Sequence, residues 1–186
     1  MKVERTSLPG VLVITSKIYR DARGSFQETF NRREMIAAGL PSEWLQDNFS
    51  VSRKNVLRGI GYQVRQPQGK LVRVAFGTVF DVAVDLRRSS LQFGKWVGTE
   101  LSGDNGRMLW IPPGFGHAFL VLSDMAGFAY KTTDYYWPAD ERTIVWNDPK
   151  IGIQWPIEDE PIVSSKDAAG TTLEDAVVYE QQFAFN

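Results

Sequence analysis

Ten short runs of strand-forming residues, each closed by turn formers, constrain this chain more than any other feature. Val11–Ile14, Trp44–Val51, Val56–Gln63, Lys70–Phe76, Thr78–Leu86, Lys95–Leu101, Arg107–Ile111, His117–Leu122, Gly127–Thr133 and Thr143–Trp146 all read as β-strands. The clearest is Phe80–Leu86, where Phe80, Val82, Val84 and Leu86 share one face and Asp81, Ala83 and Asp85 the other. Gly77 separates two strands at hairpin spacing. Many short strands spaced in this way predict an all-β sandwich or barrel. A helix is expected after Asn31, an N-cap with Glu34 three residues on, carrying Met35, Ile36 and Leu40; a second short one is expected near Thr172. GDNGR reads as a turn. No repeat, linker or low-complexity tract divides residues 1–186, which predicts a single domain.

Charge and composition exclude several functional classes. A net charge of -1 with interspersed signs gives no polyanion-binding surface, so nucleic acid is not an expected partner. The absence of cysteine removes disulfides, a thiolate nucleophile and zinc–thiolate chemistry. MKVERTSLPG is charged and turns early, unlike a signal peptide, and no apolar run approaches the roughly 18 residues of a membrane span. A cytoplasmic protein without membrane contact is expected. His117 is the single histidine, and metal-binding jelly rolls use two or more histidines plus a carboxylate. No metal and no organic cofactor is expected. Neither a nucleophile elbow nor a Walker-type glycine loop is present. On these grounds alone, His117 in PPGFGHAFL reads as a packed core histidine beside Phe115 and Phe119.

Three stretches are more specific. QDNFSVSRKNVLRGIGYQVRQPQGKLVRVAFGTVFDVAVDLR, IPPGFGHAF and YKTTDYY resemble the dTDP-4-dehydrorhamnose 3,5-epimerase family over about residues 4 to 170, nearly the whole chain. The resemblance implies a cupin-like jelly roll, a double-sheet sandwich with a few short helices. It also implies a homodimer that exchanges an N-terminal strand, and a dTDP-linked 4-keto-6-deoxyhexose as ligand.

Site residues follow from the same resemblance. In DARGSFQETF, Arg23 would contact the diphosphate or sugar while Phe26 and Glu28 would hold the thymine end, and Gln46 and Asn48 would also face the nucleotide. Phe49 departs from the family pattern beside them. Arg58 would bind phosphate, for which a guanidinium's paired donors are suited. Lys70 would stabilise the sugar enolate, and Tyr130 would act as general acid. Tyr135 would stack on thymine, Lys166 would contact the diphosphate, and His117 would line the substrate site. Asp167 would pair with the catalytic histidine. That histidine is missing: LRGIGYQ has Gly61 in its place.

Taken singly, each of these residues has a structural explanation: an exposed turn arginine, a core phenylalanine, a solvated strand-end lysine, a core tyrosine with its hydroxyl at the rim. Strict alternation would also put Arg58 and position 61 on opposite faces, unless the strand twists or bulges, which Gly59 would permit. The family reaction removes a proton beside the C4 ketone and returns one to the opposite face, at C3 and at C5. Glycine cannot accept that proton, and His117 belongs to a different motif. Ordinary epimerisation is therefore expected to be severely reduced. Three readings follow: a His→Gly variant of an active epimerase, a natural relative with another reaction on a nucleotide sugar, or a non-catalytic sugar-nucleotide binder. Retention of every other site residue favours the first.

Overall fold

In the computed structural model, residues 1–180 are described. Thirteen strands dominate. In chain order they are β1 (Lys2–Arg5), β2 (Leu12–Thr15), β3 (Ile18–Asp21), β4 (Gly24–Gln27), β5 (Gln46–Arg53), β6 (Leu57–Gln63) and β7 (Lys70–Phe76). There follow β8 (Thr78–Asp85), β9 (Trp96–Ser102), β10 (Arg107–Ile111), β11 (Phe115–Val121), β12 (Met125–Thr132) and β13 (Glu141–Thr143). One sheet has the order β1-β2-β10-β7-β12-β5 and the other β13-β6-β11-β8-β9, while β3 and β4 form a separate hairpin. The strand pairs are antiparallel, and the two larger sheets make the expected jelly-roll sandwich.

The core between the sheets explains the alternation. Val72, Val74, Leu109 and Phe128 from one sheet pack with Val79, Ala83, Phe115, Phe119 and Val121 from the other. The second face of the β8 sheet is buried as well. Val82, Val84 and Leu86 meet Ile60, Ala118, Leu173, Ala176 and Val178, so the late chain covers what would otherwise be an apolar outer surface. Opposite, Leu71, Met108 and Trp110 on the outer face of the β7 sheet are closed over by Met35 and Leu40. Met35 belongs to α1 (Arg32–Ala37), whose expected cap is present: Asn31 Oδ1 accepts from the backbone N–H of Arg33 and Glu34.

Two local expectations are corrected. Gly77 is not a hairpin turn, because β7 and β8 belong to different sheets and Gly77 carries the chain between them. Its φ of 78° is left-handed, and a Cβ there would collide with the Met125 carbonyl. The late helix is α2 (Ser165–Ala168), capped by Ser164, and not a helix near Thr172. Thr172 instead closes a turn, its hydroxyl bonded to Asp175. No helix among the described residues is long and apolar enough to cross a membrane.

Candidate active site

The inner faces of both sheets converge on a cavity of about 730 Å3. On the six-stranded sheet, Tyr130 lies opposite Asn48 and Val72, while Lys70 lies opposite Thr132. Tyr130 and Thr132 are two residues apart, so Lys70 and Tyr130 project from one face as diagonal neighbours. The five-stranded sheet supplies the facing wall with Arg58, Gly61 and His117. Lys166 and Asp167 from α2, with Glu141 from β13, complete the lining.

Arg58 and Gly61 share this wall because β6 is bulged. His117 pairs with Gly61 and Phe119 with Arg58, so two steps along β11 match three along β6. The odd extra residue reverses the parity of the strand. Gly59, at φ 102°, absorbs the irregularity, and a Cβ there would collide with the His117 carbonyl. At Gly61 the situation is the reverse: a Cβ would meet nothing within 4 Å, and φ is not left-handed. Position 61 can carry a side chain and carries none.

Charge is arranged across this space. His117 Nε2 lies 2.9 Å from Asp81 Oδ2, both residues being buried. Burial pushes the Lys70 ammonium down to about 8, against the attraction of Asp81 and Glu141. Burial also raises the Tyr130 phenol, and the Glu141 carboxylate adds to the effect. Glu141 itself is held below the ordinary carboxylate range: burial works against its charge, but hydrogen bonds from Lys166 and Tyr136 prevail. Asp167 is 7 % exposed, and its Oδ2 accepts a long 3.4 Å hydrogen bond from the Gly59 N–H. A tyrosine kept protonated, a lysine near neutrality and an open position beside a carboxylate are suited to moving a proton next to a carbonyl group.

Of the anticipated residues, Lys70, Tyr130, Asp167, Arg58, His117, Lys166, Asn48 and Gly61 line the cavity. Gln46 lies in an adjoining recess of about 290 Å3 with Asn48, Tyr130, Tyr136 and Glu141. Its amide nitrogen donates to Asn48 Oδ1 and its oxygen accepts from the Tyr136 N–H. Tyr135 lines neither space within one chain, whereas its neighbour Tyr136 lines the recess together with Tyr130. The physical reason is that β12 ends at Thr132, after which two-residue alternation no longer selects between adjacent tyrosines. Arg23, Phe26 and Glu28 are also away from the cavity within one chain. Arg23 pairs with Asp21 in the β3–β4 hairpin, Phe26 is 70 % exposed, and Glu28 accepts from Asn31 Nδ2. Phe49, opposite Ala129 and 60 % exposed, is also among the residues that line the cavity. Sequence reasoning missed Tyr136, Glu141 and the Asp81 partner of His117; Asp81, on the polar face of an otherwise apolar strand, was the available signal. Among the described residues, no group of three or more His, Asp or Glu is placed to hold a metal ion.

The fold and cavity define a jelly-roll protein with a polar cavity, rich in titratable side chains, between its sheets. Residues 5–175 match the family model for dTDP-4-dehydrorhamnose 3,5-epimerase. A dTDP-4-dehydrorhamnose 3,5-epimerase from Pseudomonas aeruginosa is 52% identical over 177 residues, covering 95% of this chain and 98% of that protein. The crystal structure of an epimerase from Legionella pneumophila, in complex with dTDP-4-keto-L-rhamnose, superposes with a TM-score of 0.93 at 47% identity, covering 98% of this chain and 99% of that one. A 3'-monoepimerase from Streptomyces bikiniensis, in complex with dTDP-quinovose, gives a TM-score of 0.85 at 33% identity, covering 91% and 86%. The chain belongs to the dTDP-4-dehydrorhamnose 3,5-epimerase family.

Proposed function

We propose that the cavity binds a dTDP-linked 4-keto-6-deoxyhexose and carries the apparatus for epimerising it at C3, or at C3 and C5, with proton removal at position 61 abolished. The observation that carries this reading is the division of labour between the two walls. Lys70 and Tyr130 stand on one sheet as enolate stabiliser and general acid, and the other sheet has an open position 61 with Asp167 at its margin. Arg58 and Lys166 supply cations for the diphosphate, and Tyr136 with Gln46 offers a recess for the base. The relative solved with dTDP-4-keto-L-rhamnose supports this ligand class.

The working form is a cytoplasmic homodimer. The exposed hairpin carrying Arg23 and Phe26 reaches the cavity of the second copy, with Glu28 following it. Exposure of Tyr19 and Phe26 on that hairpin supports an intermolecular role. No metal or organic cofactor enters the reaction.

Calorimetry with dTDP after chelation tests the reading. Binding without added metal is expected, and it should weaken in Arg58→Ala. Absence of binding by the folded protein would refute the nucleotide-sugar assignment, and a strict metal requirement would refute the metal-free one.

A further inference from the structure

Resting on that reading, one group in the cavity acquires a role that its own motif does not suggest. His117 is the only imidazole in the chain and the direct cross-strand partner of Gly61. Residues paired in this way project from the same face of a sheet, with Cβ positions about 4.5–5.5 Å apart. The imidazole therefore belongs to the wall from which the side chain at position 61 is missing. It faces the wall that carries Lys70 and Tyr130.

Its tautomer follows from its partner. A carboxylate can only accept, so the tautomer that makes the 2.9 Å bond to Asp81 carries its hydrogen on Nε2 and keeps a lone pair at Nδ1. Among the described residues, the buried side-chain nitrogen and oxygen atoms without a partner are Trp44 Nε1 and Asp81 Oδ1. His117 Nδ1 has no protein partner and is not one of them, so it opens to the cavity that His117 lines. Phe119 and Phe128 flank the ring, with centroids at 6.4 and 5.8 Å, and fix its plane. Asp81 and the rings thus hold an oriented base, and the glycine beside it leaves room for a sugar carbon to approach.

We infer that His117, oriented by Asp81, is the proton acceptor of this chain. The C–H bond beside the ketone breaks and its proton passes to Nδ1. The electron pair moves into the new C=C bond, and the ketone oxygen takes up the negative charge beside Lys70. Tyr130 then gives its proton to the carbon from the opposite wall, and water carries the proton from the imidazolium back to the tyrosinate. The base acts from the side that position 61 would have used, so the stereochemical outcome is inversion, at a rate limited by its offset from that position.

The experiment follows solvent deuterium entering a dTDP-4-keto-6-deoxyhexose by NMR, in four proteins: the chain itself, His117→Gln, Gly61→His, and the double variant. Glutamine keeps an N–H for Asp81 and loses the base. The chain itself should exchange above the protein-free rate. His117→Gln should lower that exchange by roughly 10–100-fold, at or below the foot of a positioned base's range of about 10²–10⁴ because this base is offset, with dTDP affinity held within about threefold. In the Gly61→His background the same replacement should cost less than about threefold, because position 61 again supplies a base. Equal losses in both backgrounds would make His117 a binding or packing residue and overturn the inference. So would the absence of exchange in the chain itself while Gly61→His is active, an outcome that leaves the epimerase reading standing. Inactivity of all four proteins, without dTDP binding, would overturn both.

Discussion

Restoring a histidine at position 61 is the perturbation whose consequences the geometry defines most fully. A Cβ there meets nothing within 4 Å and φ is not left-handed, so the backbone need not move. Glycine inside a strand costs roughly 0.5–1 kcal/mol relative to alanine, so Gly61→His should not lower stability. At this chain length 1 kcal/mol corresponds to about 2–4 °C, and Tm should hold or rise by that amount. The new imidazole would enter a cavity that already holds Asp167, Lys70 and Tyr130. A positioned general base contributes about 10²–10⁴ in rate, which is about 2.7–5.4 kcal/mol of barrier. Because His117 already supplies about 10–100-fold of this in the parent, Gly61→His should raise epimerisation by about 10–100-fold, with dTDP affinity little changed. NMR of deuterium incorporation at C3 and C5, beside calorimetry and a melting curve, provides the assay. A folded Gly61→His protein that binds dTDP yet exchanges within about threefold of the parent would refute the assignment of position 61.

Three further outcomes are expected. Exogenous imidazole should accelerate C3 exchange in the parent chain with saturation, most strongly above its own pKa of about 7, because the void beside Asp167 is polar and open; no effect on a protein that Gly61→His activates would show the void to be filled. The kcat of Gly61→His should fall as pH rises through about 8, since the Lys70 ammonium is lost there and with it the charge beside the enolate; a pH–rate profile flat to pH 9.5 would remove Lys70 from that role. Gly59→Ala should lower stability by about 1–3 kcal/mol or more, from left-handed φ and collision with the His117 carbonyl, measured as a reduced urea midpoint; an unchanged midpoint would mean that the bulge can relocate.

The strands were legible because one sheet face or both must be buried, and burial writes itself as β-branched and aromatic runs. Thr78–Leu86 shows how far this goes: the alternation correctly separates Asp81 and Ala83 from Val82 and Val84. It does not show that both faces are buried, because the cover on the second face comes from Leu173, Ala176 and Val178, far along the chain. The β3–β4 hairpin left no such signal, since almost all of its side chains remain exposed. Gly77 marked a change of direction without saying whether the next strand pairs with the last or crosses to the other sheet.

The chemistry was legible residue by residue and illegible in its pairing, and the difference lies in register. Motif matches name Gly61 and His117 separately, 56 positions apart in one dimension. Only the hydrogen-bond ladder shows them as direct partners, and a one-residue slip would have sent the imidazole to the other face. The bulge at Gly59 is a local instance of the same parity. Without it Arg58 and position 61 would face opposite ways, and cation and base could not serve one ligand. The consequence for function is specific. A side chain lost from one strand of an antiparallel pair leaves its cross-strand neighbour on the same wall, so an oriented imidazole at that neighbour is the nearest available replacement. Asp81 lies deep in the same sheet with one oxygen on His117 and the other without a partner. On the proposed reading the double-sheet scaffold separates two tasks: one wall stabilises and reprotonates the enolate, and the other removes the proton. On that reading, replacing one residue on the second wall changes which group performs that task and its rate, while Lys70, Tyr130, Arg58 and Lys166 keep their places around the cavity.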